Sequence, residues 1–285
     1  MLATLQTLDH VAVVSDRPDA LFEAYGRLGF QLTPLARHAG AIRPGEDPVP
    51  WGIGNRCAMF RGGYLELLAV LDGDLYCRGF PERLDRYEGL HIVAFECADA
   101  DATAAELRDR GVALDGVGRL ERRIDTPDGD GLARFSLVRL RPEEAPECHL
   151  NILRHHTPEL LWQQRYLDHP NGAESLLGTT LCVEDPAAIA GRYARFLGVA
   201  PAADGSRHRF ELPRGRFDIV APDDLRADTG QTAPVLPFVA NMTLGSGDLS
   251  RTRDWLLGQG VAFDEQGGRL LTDPADGLGA MCIFE

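Results

Sequence analysis

The chain has 285 residues, enough for two domains of ordinary size or four small modules fused in pairs. A net charge of −14 argues against a general nucleic-acid or anionic-membrane surface, while leaving the charge of a local pocket open. With 44% hydrophobic residues the chain can build real cores, and no apolar run reaches the length of a transmembrane helix.

Residues 8–15 (LDHVAVVS) read as a strand of alternating and β-branched apolar residues with His10 near its start. Asp16 as cap and Pro18 in the first turn predict a helix. That helix carries Leu21, Phe22, Tyr25 and Leu28 on one face and ends at Gly29. The same unit recurs three times. Residues 89–96 precede a helix around 102–110 and then Gly111, and residues 177–184 precede a helix led by Asp185 and Pro186 and then Gly198. Residues 238–244 precede a helix led by Ser246 or Asp248 and then Gly260. Counting from strand to glycine gives 19 residues from His10, 20 from His91, 19 from Thr179 and 19 from Asn241. Four units in near register argue for internal duplication, with His10, His91, Thr179 and Asn241 as equivalent positions.

Each helix is followed by short strands. Residues 56–60 and 64–70 flank Arg61-Gly62-Gly63, a hairpin signal, and 133–140 and 148–153 flank a charged, proline-bearing loop. Residues 207–212 and 216–220, then 269–272 and 279–284, complete the pattern. The expected fold class is α+β, with four βαβββ modules. Residues 37–53, rich in Gly and Pro, read as an insertion able to cover a site. The expected domains are a pair of modules over 1–155, a linker with a short helix over 156–175, and a second pair over 176–285. Thr157-Pro158-Glu159 starts the linker helix, and His169-Pro170-Asn171-Gly172 is a turn signal. The six cysteines show no CxxC spacing and read as buried free thiols in a reducing cytoplasm. The N-terminus lacks a signal-peptide pattern, so a cytoplasmic location is expected.

His10 and His91 lie in apolar strands, and Glu66 sits between Leu65 and Leu67. A buried carboxylate is costly unless paired or metal-bound, so these three are the candidate metal ligands, the alternative being a buried polar cluster without metal. Glu66 is also a candidate proton carrier. His149 and His155 share the strand parity of Asn151, so either is a candidate fourth ligand or general base; His155 joins Glu66 in the expected catalytic pair. His38, Trp51, Asn55, Tyr64, Asn151 and Trp162 are the candidate substrate contacts, with Phe60 a further aromatic wall and Arg56 a candidate for orienting an anion. Residues 52–54 are too short and misplaced for a dinucleotide loop, residues 125–130 lack the full calcium-loop spacing, and no serine sits in a nucleophile elbow.

The tandem βαβββ pattern, with histidine on a first strand and YLEL on a last strand, resembles the vicinal oxygen chelate superfamily, which includes glyoxalase I, extradiol dioxygenases, and fosfomycin- and bleomycin-resistance proteins. It is most similar to a glyoxalase-like group, through LDHVAVVSD, LGFQLTP, GNRCAMF, GYLELLAV and the stretch RHHTPELLW to HPNG. The resemblance implies modules paired into two cup-shaped mixed sheets with helices outside. It implies a metal held by first and last strands: His10, Glu66 and His91, with Asn151 where Glu66 sits in the first module. Fe, Mn, Zn and Ni all suit such a set. Thr179 and Asn241 replace histidine in the C-terminal pair, which is expected to be degenerate and metal-free. The implied function is a metal-dependent lyase, isomerase or ring-cleaving dioxygenase acting on a small oxygen-bearing molecule that chelates the metal. The rival is a metal-free protein that binds or sequesters a small molecule. Expected partners are a small-molecule substrate, no nucleic acid and no membrane, with the chain a monomer or homodimer.

Overall fold

The structure is a computed structural model that describes residues 5–43 and 46–285. Residues 1–4 and 44–45, in the expected N-terminal domain and its insertion, lie outside the described residues. The first module runs β1 (Leu5–Ser15), α1 (Pro18–Arg27), β2 (Ala36–Gly40), β3 (Val49–Met59) and β4 (Tyr64–Val70). A short α2 (Phe80–Leu84) leads to β5 (Gly89–Cys97), α3 (Ala100–Asp109), β6 (Leu114–Thr126), β7 (Gly129–Leu140) and β8 (His149–His155). After α4 (Pro158–Leu161) come β9 (Ala173–Cys182), α5 (Pro186–Leu197), β10 (Ala202–Asp204), β11 (Arg207–Glu211) and β12 (Arg216–Val220). Then α6 (Pro222–Thr229) precedes β13 (Phe238–Ser246), α7 (Leu249–Gly258), β14 (Phe263–Gln266), β15 (Arg269–Thr272) and β16 (Met281–Phe284).

All four modules share one connectivity. The first strand pairs in parallel with the last (β1 with β4, β5 with β8, β9 with β12, β13 with β16), and the two middle strands follow outward. Within each half the two first strands meet antiparallel, β1 against β5 and β9 against β13. The halves join where Val239 of β13 pairs with Leu90 of β5. The expected α+β fold of four βαβββ modules is therefore the observed one.

One core runs under both halves. Leu21, Tyr25 and Leu28 of α1 and Tyr193, Phe196 and Leu197 of α5 pack into it, because helical spacing puts these apolar side chains on one face. Phe217 of β12 lies 5.8 Å edge-on from Phe95 of β5 and 5.1 Å from Tyr193, tying the halves together. All six cysteines are buried and free. Among the described residues no helix is long and apolar enough to cross a membrane.

Local expectations differ in three places. Asp16 does not cap α1: Arg17 holds the cap position, and the Ser15 hydroxyl accepts from the Arg17 amide instead. Asp185 and Asp248 do cap their helices. The expected insertion over 37–53 is largely strand, since β2 and β3 pair antiparallel across it; His38 and Trp51 thus sit on a sheet rather than on a covering loop. Finally, β9 already begins at Ala173, inside the stretch read as linker.

Candidate functional site

A cavity of about 580 Å³ opens inside the N-terminal half, lined from β1, β4, β5 and β8 and walled by β2, β3, β6 and β7. Strand register fixes its floor. His10 is level with Tyr64, and Ala12 with Glu66, so His10, Tyr64 and Glu66 share one face. Across the half, Ile92 is level with His149 and Ala94 with Asn151.

The β1–β5 ladder shifts register at three places, and two of these bulges shape the site. Leu8 pairs with Phe95 and His10 with Ala94, leaving Asp9 as the extra residue on β1. Ala12 pairs with Ile92 and Val13 with Leu90, leaving His91 as the extra residue on β5. The two bulges are related by the pseudo-twofold between the modules, so Asp9 corresponds to His91 and His10 to Ile92. The single extra residue in the count from His91 to Gly111 already registered this shift. By the same registers the C-terminal half places Gly178, Asp218, Asn241 and Ile283 where the N-terminal half has His10, Glu66, Ile92 and Asn151. The equivalences expected for His91 and Thr179 are thus off by one residue.

The bulge sets Asp9, fully buried, beneath the floor between two imidazoles. His10 Nδ1 donates to Asp9 Oδ2 at 2.6 Å, and His155 Nε2 lies 3.3 Å from both Asp9 oxygens. Burial alone would raise the Asp9 carboxyl, but His155 and His10 reverse it, holding its pKa well below the carboxylate range. An ionised carboxylate only accepts, so His10 carries a proton on Nδ1 and turns Nε2 toward Glu66 Oε2, 3.7 Å away. Tyr64 stacks on the His10 ring with centroids 4.3 Å apart. Glu66 accepts from Asn55 Nδ2, and Asn55 Oδ1 accepts from Arg122 Nη1 at 3.1 Å. Burial raises the Glu66 carboxyl, and His10, the Asn55 amide and Arg122 outweigh it, holding its pKa below the usual carboxylate value.

His10, His38, Trp51, Tyr64, Glu66, Asn151 and His155 all line this cavity. His91 does not. It stacks on Tyr87 with centroids 4.1 Å apart and hydrogen-bonds the Tyr87 carbonyl through Nε2 at 2.8 Å, at the junction where Tyr87 meets Phe238. Asn55 lies behind the wall, holding Glu66 and Arg122 in place rather than facing the cavity. Trp162 buttresses His155 edge-on at 5.1 Å and donates to the Phe60 carbonyl. His149 accepts from Arg78 Nη2 at 3.3 Å, and burial with that guanidinium drives its pKa well below the usual value.

The donors do not fit the expected three-ligand metal centre. His10 and Glu66 supply one imidazole and one carboxylate, but their partners across the pseudo-twofold are apolar Ile92 and the amide Asn151. Among the described residues no group of three His, Cys, Asp or Glu is arranged to hold a metal ion. Sequence reading missed Asp9, Arg78 and Arg122. Strict alternation turns Asp9 away from His10's face, and only the bulge brings it back; nothing in the local sequence singles out the two arginines.

A pH dependence follows. Burial, with Arg122, pushes His38 down to about 4 from 6.5, and burial does the same to His91. Both rings are neutral in the fold, while the unfolded chain takes up protons below about pH 6.5. Between about pH 6.5 and 4 the unfolded state binds more protons, so their stability contribution is whole above that window and lost as pH falls through it. The urea midpoint is expected to drop from pH 7 to 4.5, and to drop less in His38→Gln.

Residues 8–197 match the family described as a glyoxalase-like domain. No curated protein matches. Among solved structures, a hypothetical protein from Staphylococcus aureus superposes with TM-score 0.66 at 13% identity, covering 98% of each chain. A mutant 4-hydroxymandelate synthase from Streptomyces coelicolor gives 0.58 at 13% identity over 99% of this chain and 92% of that one. A xylose isomerase-like TIM barrel/4-hydroxyphenylpyruvate dioxygenase fusion protein gives 0.55 at 12% identity, with 100% of this chain on 50% of that one. At such identities the structural likeness concerns the fold alone.

Proposed function

Starting from a chain that belongs to the glyoxalase-like domain family, we propose that its N-terminal cup is an active site for proton transfer on a small oxygen-bearing organic molecule. The observation that carries this is the buried Asp9–His10 pair, with His10 Nε2 turned toward Glu66 on the floor of the cavity. Asp9 fixes the His10 tautomer and stabilises the imidazolium that forms when Nε2 accepts a proton. Glu66, ionised beside it, accepts or returns a proton at a neighbouring substrate atom. Asn151, facing the same space, supplies an amide donor for a developing oxyanion. Metal dependence, the expectation from sequence, draws no support from the donor set, and no step is routed through a metal.

The test is hydrogen–deuterium exchange. Small aldehydes, ketones and 2-oxo acids are incubated with chelator-treated protein in D2O, and carbon-bound deuterium is read by mass spectrometry. At least one compound is expected to exchange, with loss of about 10²–10⁴-fold in His10→Ala and Glu66→Gln. Exchange that survives both substitutions would refute the reading. So would exchange restored only by adding Fe, Mn, Zn or Ni.

The rival, a metal-free binding protein, is favoured by one feature: Trp51 and Tyr64 give the cavity aromatic walls suited to stacking. It predicts ligand binding without exchange on any compound.

A further inference from the structure

Arginines occupy the two cups differently. In the C-terminal cup they are answered by acids. Asp218 accepts from Arg207 at 3.1 Å and from Arg209 at 2.8 and 2.9 Å, and Asp228 accepts from Arg207 and Arg269. In the N-terminal cup, Arg78 and Arg122 line the cavity, and neither has a carboxylate partner among the described residues. This occurs in a chain with 43 acidic residues against 29 basic ones. An arginine withdrawn from solvent without an acid is costly, which marks an anion as the missing partner.

Both side chains are held in place. Arg78 lies 5.6 Å over the Trp51 ring and donates to His149, on a backbone with φ of 56°, a left-handed conformation that costs a non-glycine residue. Arg122 lies 5.9 Å over the Phe135 ring, donates Nη1 to Asn55, and keeps a buried Nε with no hydrogen-bond partner. Glu66 answers only part of this charge. Arg37, Arg123 and Arg139 line the same cavity, so five guanidinium groups face two carboxylates, Glu66 and Glu121, and the lining is positive. Trp51 and Phe80 offer apolar surface beside the arginines.

We propose that the N-terminal cup takes a small organic monocarboxylate, its carboxylate held by Arg78 and Arg122 and its apolar body laid against Trp51. The proposal deepens the proton-transfer reading by naming its substrate class. A planar carboxylate matches the fork of a guanidinium, and its negative charge offsets part of the positive lining.

The test is a tryptophan-fluorescence titration of the whole chain at pH 7 with phenylacetate, its neutral isostere phenylacetamide, and inorganic phosphate. Trp51→Phe identifies the reporting indole. Phenylacetate is expected to bind at least tenfold tighter than phenylacetamide and tighter than phosphate. Arg122→Gln and Arg78→Gln are each expected to weaken it at least tenfold, with circular dichroism unchanged; should either fail to fold, Arg122→Lys and Arg78→Lys take its place. Absent binding of phenylacetate, equal binding of acid and amide, tighter binding of phosphate, or indifference to both arginines would overturn the proposal. Binding is read here without any exchange of carbon-bound hydrogen. Carboxylate binding with no exchange chemistry therefore sinks only the proton-transfer reading, and exchange restricted to neutral carbonyls sinks only this one.

Discussion

Asp9→Ala is expected to destabilise the protein by roughly 3–5 kcal/mol, the scale of removing one partner from a buried charge cluster. The carboxylate is fully buried and takes hydrogen bonds from His10 and His155. Alanine would leave two imidazole N–H groups buried without an acceptor, each costing about 1–3 kcal/mol. Among the described residues no other carboxylate contacts both rings; Glu66 approaches His10 only at Nε2. Urea unfolding at pH 7 measures the loss, read as a lower midpoint at unchanged slope. Asp9→Asn, which keeps one acceptor oxygen, should lose less. Nitrogen-15 NMR adds a readout that stability does not determine: His10 is expected as the Nδ1–H tautomer in the wild type and as a mixture in Asp9→Ala. A loss below about 1 kcal/mol, with the tautomer unchanged, would show that Asp9 does not orient His10.

Phe217→Ala is expected to cost about 3–5 kcal/mol, the range for deleting a fully buried aromatic ring. The ring is completely inaccessible and contacts Tyr193, Phe210 and, across the junction, Phe95. A cavity there lies between the halves, so both should weaken together. Thermal unfolding followed by tryptophan fluorescence and by far-ultraviolet circular dichroism should give one coincident transition, shifted down in the variant. Two separated transitions would mean that the halves fold independently and that the Phe95–Phe217 contact is incidental.

Much of the fold was legible in the sequence because it repeats. A strand, a capped helix and a stopping glycine occur four times, and β1, β5, β9 and β13 fall on those four strands. The pairing of Glu66 with Asn151 was legible too, since β4 and β8 take the register that laying HLNI on YLEL gives. Less was legible at the site. His10 and Glu66 share a face because their strands pair in register, whereas His91 is level with Asp9 rather than His10, and Ile92 takes the place on that face. No local propensity marks a bulge, which is a property of two strands paired. Trp51 and His38 were placed in a loop because Gly and Pro around them mask a hairpin that the neighbouring sheet stabilises. Arg122 escaped because it shares its face of the β6–β7 hairpin with Leu120, Ile124, Ala133 and Phe135, and only tertiary structure folds that face over a cup.

The paired bulges also say something about how such a protein loses or gains a ligand. One residue more or less in a first strand trades the side chain that looks into the cup for its neighbour. Such a shift would carry a histidine out of the cup with no change of residue; His91, level with Asp9, stands outside it against Tyr87. Descent is therefore better traced by counting outward from the bulge than by matching histidines.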